Sequence, residues 1–193
     1  MIKKKLKNQR LLASINSGGK SGFSVRSKVI KTLKNLNTDH KFLLDFGSGK
    51  GELFKTKISD IDLHFIHYEG KGKKNIPLLL MHGWPGSVFE FLDIIPILTE
   101  PSKFGIESDI AFTVIAPSLP GFGLSFQAFQ KRFGVEEISD CFKELMVNVL
   151  GYNKFCIQGG DWGAMIGSRI AYKYFDHVIA LHLNMLALIR DYE

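Results

Sequence analysis

What this chain has little of narrows its chemistry first. Two cysteines in 193 residues, Cys141 and Cys156, are too few for a disulfide framework. One falls in a helical pattern and the other in a strand pattern. Both therefore read as small core residues, and neither as a metal ligand. No apolar run approaches the roughly 18–20 residues that a membrane span needs. The longest, Ile76 to Met81, has the length of a buried strand. No apolar core follows the N-terminal lysines, which argues against a secretory signal. Acidic residues are absent before Asp39, where ten basic ones stand. From Asp39 onward 15 basic residues face 19 acidic ones, so the body carries −4 and the basic excess behind the net charge of +6 belongs to the first 38 residues. There is no internal repeat, and no low-complexity tract beyond that basic arm.

Residues 1–38 read as a solvated basic arm ending in a short helix over Val25 to Leu36. A targeting presequence fits its basic, serine-containing, acid-poor makeup, although lysine stands where arginine is usual. Contact with an anionic surface through residues 1–38 is the other sharp reading. The expectation is a cytoplasmic protein, with organelle targeting or membrane-surface association through the basic N-terminus as the alternative. Nucleic acid is not an expected partner.

Next comes Phe42-Leu43-Leu44-Asp45-Phe46-Gly47-Ser48-Gly49-Lys50-Gly51-Glu52. An apolar run entering a glycine loop lets a backbone approach a ligand, and this one resembles the first motif of S-adenosylmethionine-dependent methyltransferases. It is not a Walker loop, because no Ser or Thr follows the lysine. A methyltransferase should continue with a helix and a second strand. Instead Ile61 to Tyr68 alternates like an antiparallel strand, and the resemblance stops.

From Phe54 the order becomes regular. Phe54 to Ile58 and Ile61 to Tyr68 form a predicted hairpin across Ser59-Asp60. Ile76 to Met81 is a continuous apolar run, as in the middle of a parallel sheet, and Ala111 to Ala116 reads as another buried strand. Ser87 to Leu98 reads as a helix that Pro96 would end or kink. Val135 to Leu150 carries Ile138, Cys141, Phe142, Leu145, Met146 and Val149 at helical spacing. Phe155 to Gln158 reads as a strand, Trp162 to Tyr174 as a helix, and Val178 to Leu183 as one more strand. Strands alternating with helices imply a mostly parallel sheet with helices on both faces.

Three loops follow strands in this plan. Gly159-Gly160-Asp161-Trp162-Gly163 has the spacing of a nucleophile elbow with a carboxylate where serine usually stands. Asp161 would sit at a sharp strand-to-helix corner, and small flanking residues would let the backbones pass. The bland reading is a surface turn, since Asp with Gly is ordinary turn chemistry. His82-Gly83-Trp84-Pro85-Gly86 leaves the strand before it; His82 reads as a packed loop histidine without an evident partner, and Trp84 as functional by its place. Ala116-Pro117-Ser118-Leu119-Pro120-Gly121-Phe122-Gly123-Leu124-Ser125 is, taken alone, a Pro/Gly loop.

In this order and spacing the three pieces resemble epoxide hydrolases of the α/β-hydrolase superfamily, the microsomal and juvenile-hormone type. The resemblance runs from about Phe54 to Met185. Residues 1–53 do not look like that family's N-terminal extension, which sets the expected boundary between an arm at 1–53 and a hydrolase half at 54–193. The resemblance implies Asp161 as nucleophile, an alkyl-enzyme ester that water cleaves to a diol, and the backbone N–H groups of Trp84 and Trp162 as the oxyanion hole. It implies a small apolar epoxide and water as partners, and no cofactor or metal.

In the family the general base, its acid partner and the lid tyrosines come after the elbow. His177, His182, Tyr172, Tyr174 and Tyr192 do not stand where those groups would be. The expectation is therefore the first half of an α/β-hydrolase fold, with an exposed apolar strand edge, marginal stability and no epoxide turnover by the chain alone. A haloalkane-type dehalogenase of the same fold also uses aspartate, though Trp84 stands where its loop usually carries a polar halide-binding residue. A non-catalytic remnant binding an anionic surface and a methyltransferase fragment on Gly47–Gly51 are the remaining alternatives.

Overall fold

The structure is a computed structural model and describes residues 52–185. The basic arm with its helix over 25–36, the glycine loop at 47–51 and Tyr192 lie outside the described residues. Six strands make one sheet in the order β1-β2-β4-β3-β5-β6. They are β1 (Glu52–Ile58), β2 (Ile61–Tyr68), β3 (Lys74–Met81), β4 (Ile110–Pro117), β5 (Phe155–Gly159) and β6 (Val178–Leu183). The first two form the predicted hairpin. Ser59 and Asp60, with φ of 50° and 65°, give the primed turn whose twist suits a two-residue hairpin. β2 then pairs antiparallel with β4, while β4, β3, β5 and β6 run parallel.

The apolar runs are explained by burial on both faces of the sheet. Leu79, Met81, Ile115, Phe155 and Ile157 face one helical layer, and Leu78, Leu80, Val114 and Ala116 face the other. The first layer is built by α2 (Val135–Glu144) and α3 (Trp162–Lys173). Its contribution includes Ile138, Cys141, Phe142, Ile166 and Ile170. The second layer is thinner, with Val88 and Ile95 at its centre and half-buried Cys156 packed against it.

Phe142 is fully buried where α2 meets the sheet. Phe142→Ala is expected to cost about 3–5 kcal/mol, the ordinary range for a large aromatic lost from a core. Urea unfolding followed by circular dichroism checks this; a loss under about 1 kcal/mol would show that this layer is not the core.

Two helices differ from the sequence expectation. Ser87 to Leu98 is not one helix but a 3-10 turn, Val88–Phe91, followed by α1 (Ile94–Thr99). Pro96 decides the break: it sits within the first turn of α1, where its missing N–H would have no intrahelical partner anyway. At the other site α2 stops at Glu144, and Leu145–Val149 continues as a wider π turn. There the Leu150 N–H reaches back five residues to the Leu145 carbonyl at 3.0 Å.

β6 is the last strand of the described sheet, and Ile179 and Leu181 on it are exposed. Among the described residues, no helix is long and apolar enough to cross a membrane.

Candidate active site

The three loops come together at the carboxyl ends of β3, β4 and β5, where an open α/β sheet places its ligands. Asp161 stands at the corner between β5 and α3 with φ 52° and ψ −123°. An L-residue adopts this backbone only at a cost of roughly 1–3 kcal/mol. The corner closes because the helix can graze the sheet. A Cβ on Gly163 would fall inside van der Waals contact with the Met81 carbonyl oxygen. The strain turns the Asp161 side chain out of the sheet and into a cavity of about 350 Å3.

The Trp84 N–H donates to Asp161 Oδ1 at 2.7 Å. This bond, helped by the neighbouring Trp162 N–H, holds the Asp161 carboxyl below its ordinary value, against an opposing effect of burial. The Trp84 ring is not a core aromatic: it is 66% exposed, and the residue enters the site through its backbone. The peptide that follows it, Trp84–Pro85, is cis.

His82 is packed, as its position suggested, but it does have partners. Its Nε2 accepts the Leu119 N–H at 3.0 Å, and its Nδ1 lies 2.9 Å from the Gly83 carbonyl oxygen. One neutral tautomer, protonated at Nδ1, satisfies both contacts. Burial favours that neutral form, partly offset by the bond to Gly83. His82 thus ties the loop after β3 to the loop after β4.

The second loop is tied in turn to β2. The Ser125 hydroxyl accepts the His64 N–H at 2.9 Å, and the Ser118 hydroxyl lies 2.8 Å from His64 Nδ1. Burial, helped by the Lys55 charge, pulls His64 down to about 3, so it stays neutral. His177 is elsewhere, its Nδ1 on the Asn153 carbonyl at 2.8 Å. No histidine lines the cavity among the described residues.

Sequence reading missed part of the wall. Glu90, Phe91, Gln158, Asn184 and Met185 all line the cavity beside Asp161. Glu90 had a signal: it is the one charged residue in the apolar stretch Val88 to Leu92, directly after the glycine loop. Its carboxyl is held above the ordinary value, first by burial and then by the Asp161 charge.

Residues 76–190 match a family model described as the alpha/beta hydrolase fold. The chain belongs to that family. Within it, this alpha/beta hydrolase has epoxide hydrolases as relatives. Residues 2–91 match a model described as the epoxide hydrolase N terminus. That match takes in the arm and the glycine loop at 47–51. It corrects the reading of residues 1–53 as unlike the family's N-terminal extension.

The chain is 45% identical over 143 residues to Epoxide hydrolase 1 of Oryctolagus cuniculus, covering 72% of this chain and 31% of that protein. It is 35% identical over 194 residues to the juvenile hormone epoxide hydrolase of Manduca sexta, covering 95% and 40%. The crystal structure of juvenile hormone epoxide hydrolase from the silkworm Bombyx mori superposes with a TM-score of 0.65 at 43% identity, covering 72% of this chain and 32% of that one. The alpha/beta hydrolase described here therefore spans about a third of the length of these relatives.

Proposed function

We propose that this chain carries the nucleophilic half of an epoxide hydrolase, with Asp161 as the attacking group. The Trp84 N–H on Asp161 Oδ1, at a strained corner facing a cavity, is the observation that carries this reading. Two N–H donors keep the carboxylate ionised at neutral pH, as a nucleophile requires. The Trp84 donor also distinguishes its two oxygens. Oδ1 is occupied by Trp84, so Oδ2 has the lone pair free to attack a strained ring carbon in line.

Once the ester forms, Oδ1 becomes its carbonyl oxygen and already rests on an N–H. Water attacking that carbonyl would place negative charge on Oδ1, where Trp84 and Trp162 stabilise it. One such donor is typically worth about 3 kcal/mol of barrier. The water step also needs a base, and among the described residues no histidine lines the cavity. The half-reaction assigned to these residues is thus ring opening, leaving an ester on Asp161. The relatives' printed names supply the substrate class, an epoxide.

The test is incubation of the chain with a small neutral epoxide, followed by intact mass and peptide mapping. One adduct on Asp161 is expected. Because donation to Oδ1 depresses the Asp161 pKa, the adduct rate should decline at a lower pH than an ordinary carboxylate would set, below about 4 rather than at it. No adduct, or adducts confined to cysteine and histidine, would refute the assignment.

A further inference from the structure

The cavity beside the elbow holds two titratable side chains, Asp161 and Glu90. The motifs account for the first and leave the second without a role. Glu90 sits on the 3-10 turn that follows the His82–Gly86 loop, and Ser87 caps that turn by accepting the Phe89 N–H. The turn folds the Glu90 carboxylate back over the loop: a Cβ on Gly86 would stand 2.6 Å from Glu90 Oε2. No lysine, arginine or histidine lines the cavity among the described residues. His82 lies behind the loop, with both ring nitrogens engaged and the neutral form favoured by burial. The charge acting on Glu90 is that of Asp161.

We propose that Glu90 is a specificity-determining residue: with Asp161 it makes the cavity doubly negative, so that neutral epoxides are accepted and epoxides bearing a carboxylate beside the ring are turned away. The proposal rests on the reading of Asp161 as an epoxide nucleophile. A second negative charge repels an anionic substrate by an amount that is modest near solvent, about threefold to tenfold in occupancy. For a neutral substrate the same charge is no obstacle to entry, and esterification relieves the repulsion. One Asp161 oxygen bonds to a ring carbon, and that carbon's bond to the ring oxygen breaks with its electron pair on the oxygen. The oxygen then takes a proton from water, hydroxide leaves to bulk, and only the Glu90 charge remains in the cavity.

The experiment compares two probes of nearly equal size at neutral pH, glycidamide (neutral) and glycidate (its carboxylate counterpart), by their rates of adding to Asp161 in the 193-residue chain. The amide should react faster, and Glu90→Gln should shrink the amide-to-carboxylate ratio about threefold to tenfold. Added salt should shrink it in the parent more than in the variant. Glu90→Asp, which keeps the charge, should retain most of the discrimination. An unchanged ratio in Glu90→Gln overturns the proposal.

A carboxyl 13C titration supplies a readout free of alkylation. Removing a negative neighbour should move the Glu90 midpoint to lower pH in Asp161→Asn. If neither probe adds to Asp161, the nucleophile reading fails, and the titration alone decides whether the two carboxylates are coupled. An unmoved Glu90 midpoint then overturns the role given to Glu90.

Discussion

Replacing Asp161 by asparagine is expected to lower epoxide addition at that position by at least about a hundredfold while leaving the fold intact. The chemical reason is direct. A carboxamide oxygen carries no formal charge and is a poor nucleophile toward saturated carbon. The structural reason that the fold survives is equally specific. Asparagine tolerates positive φ better than most residues, so the corner at φ 52° does not open. Its carbonyl oxygen can still accept the Trp84 N–H that Asp161 Oδ1 accepts at 2.7 Å. The charge facing Glu90 disappears at the same time.

The thermal midpoint should therefore hold or rise slightly, and the adduct mass should vanish. Both readouts are needed, because a lost adduct with a collapsed midpoint would say only that the protein unfolded. An adduct that persists on the asparagine variant at the parent rate would mean that another group does the chemistry. Asp93→Asn is the control, since Asp93 is exposed and does not line the cavity; it should keep the parent rate.

The sheet was legible because its strands are buried on both faces. Leu78 to Met81 and Val114 to Ala116 leave no polar position for solvent, and a run of that kind has few alternatives at that length. The hairpin was legible from Ser59-Asp60 for a local reason, its turn geometry. The stretch Ser87 to Leu98 was not, because apolar spacing is shared by a 3-10 turn and a helix. What separates them is where Pro96 falls relative to a helix start.

The site shows the same division. Asp161 and the Trp84 backbone could be named from motif spacing, since the elbow and the glycine loop are local structures. The partners of His82 could not, because Leu119 is far from it in sequence and meets it only when β3 and β4 lie side by side. Glu90 was hidden for a like reason. Its neighbourhood with Asp161 exists only after the loop following β3 has folded over the end of β5. The β6 strand was expected from its apolar run, and its exposed Ile179 and Leu181 follow from its place at the end of the described sheet rather than from its pattern.

Gly163→Ala is expected to destabilise the protein by about 2–4 kcal/mol and to slow adduct formation on Asp161 as well. Alanine favours a helix over glycine by roughly 1 kcal/mol, so propensity alone predicts the opposite sign. The clash overrides it because the new methyl meets backbone. The Met81 carbonyl oxygen belongs to a central strand, at a position paired with Gly159 of β5, and cannot swing away as a side chain could. The helix must lift instead.

Met81 directly precedes the His82–Gly86 loop, and Asp161 directly precedes α3, so lifting the helix separates the carboxylate from the Trp84 N–H. Stability and reactivity should therefore fall together. Gly167→Ala, one turn along the same helix, provides the contrast. Its methyl would meet the Ile157 Cγ2 at 3.0 Å and the flexible Met81 Cε at 3.2 Å, side-chain rather than backbone atoms that need give only a few tenths of an ångström. That variant should stay within about 1 kcal/mol of the parent and keep its adduct rate. Urea unfolding of both variants, paired with the mass assay, separates the two cases. Equal behaviour of the two alanines would mean that the elbow does not depend on the close passage of α3 over β3.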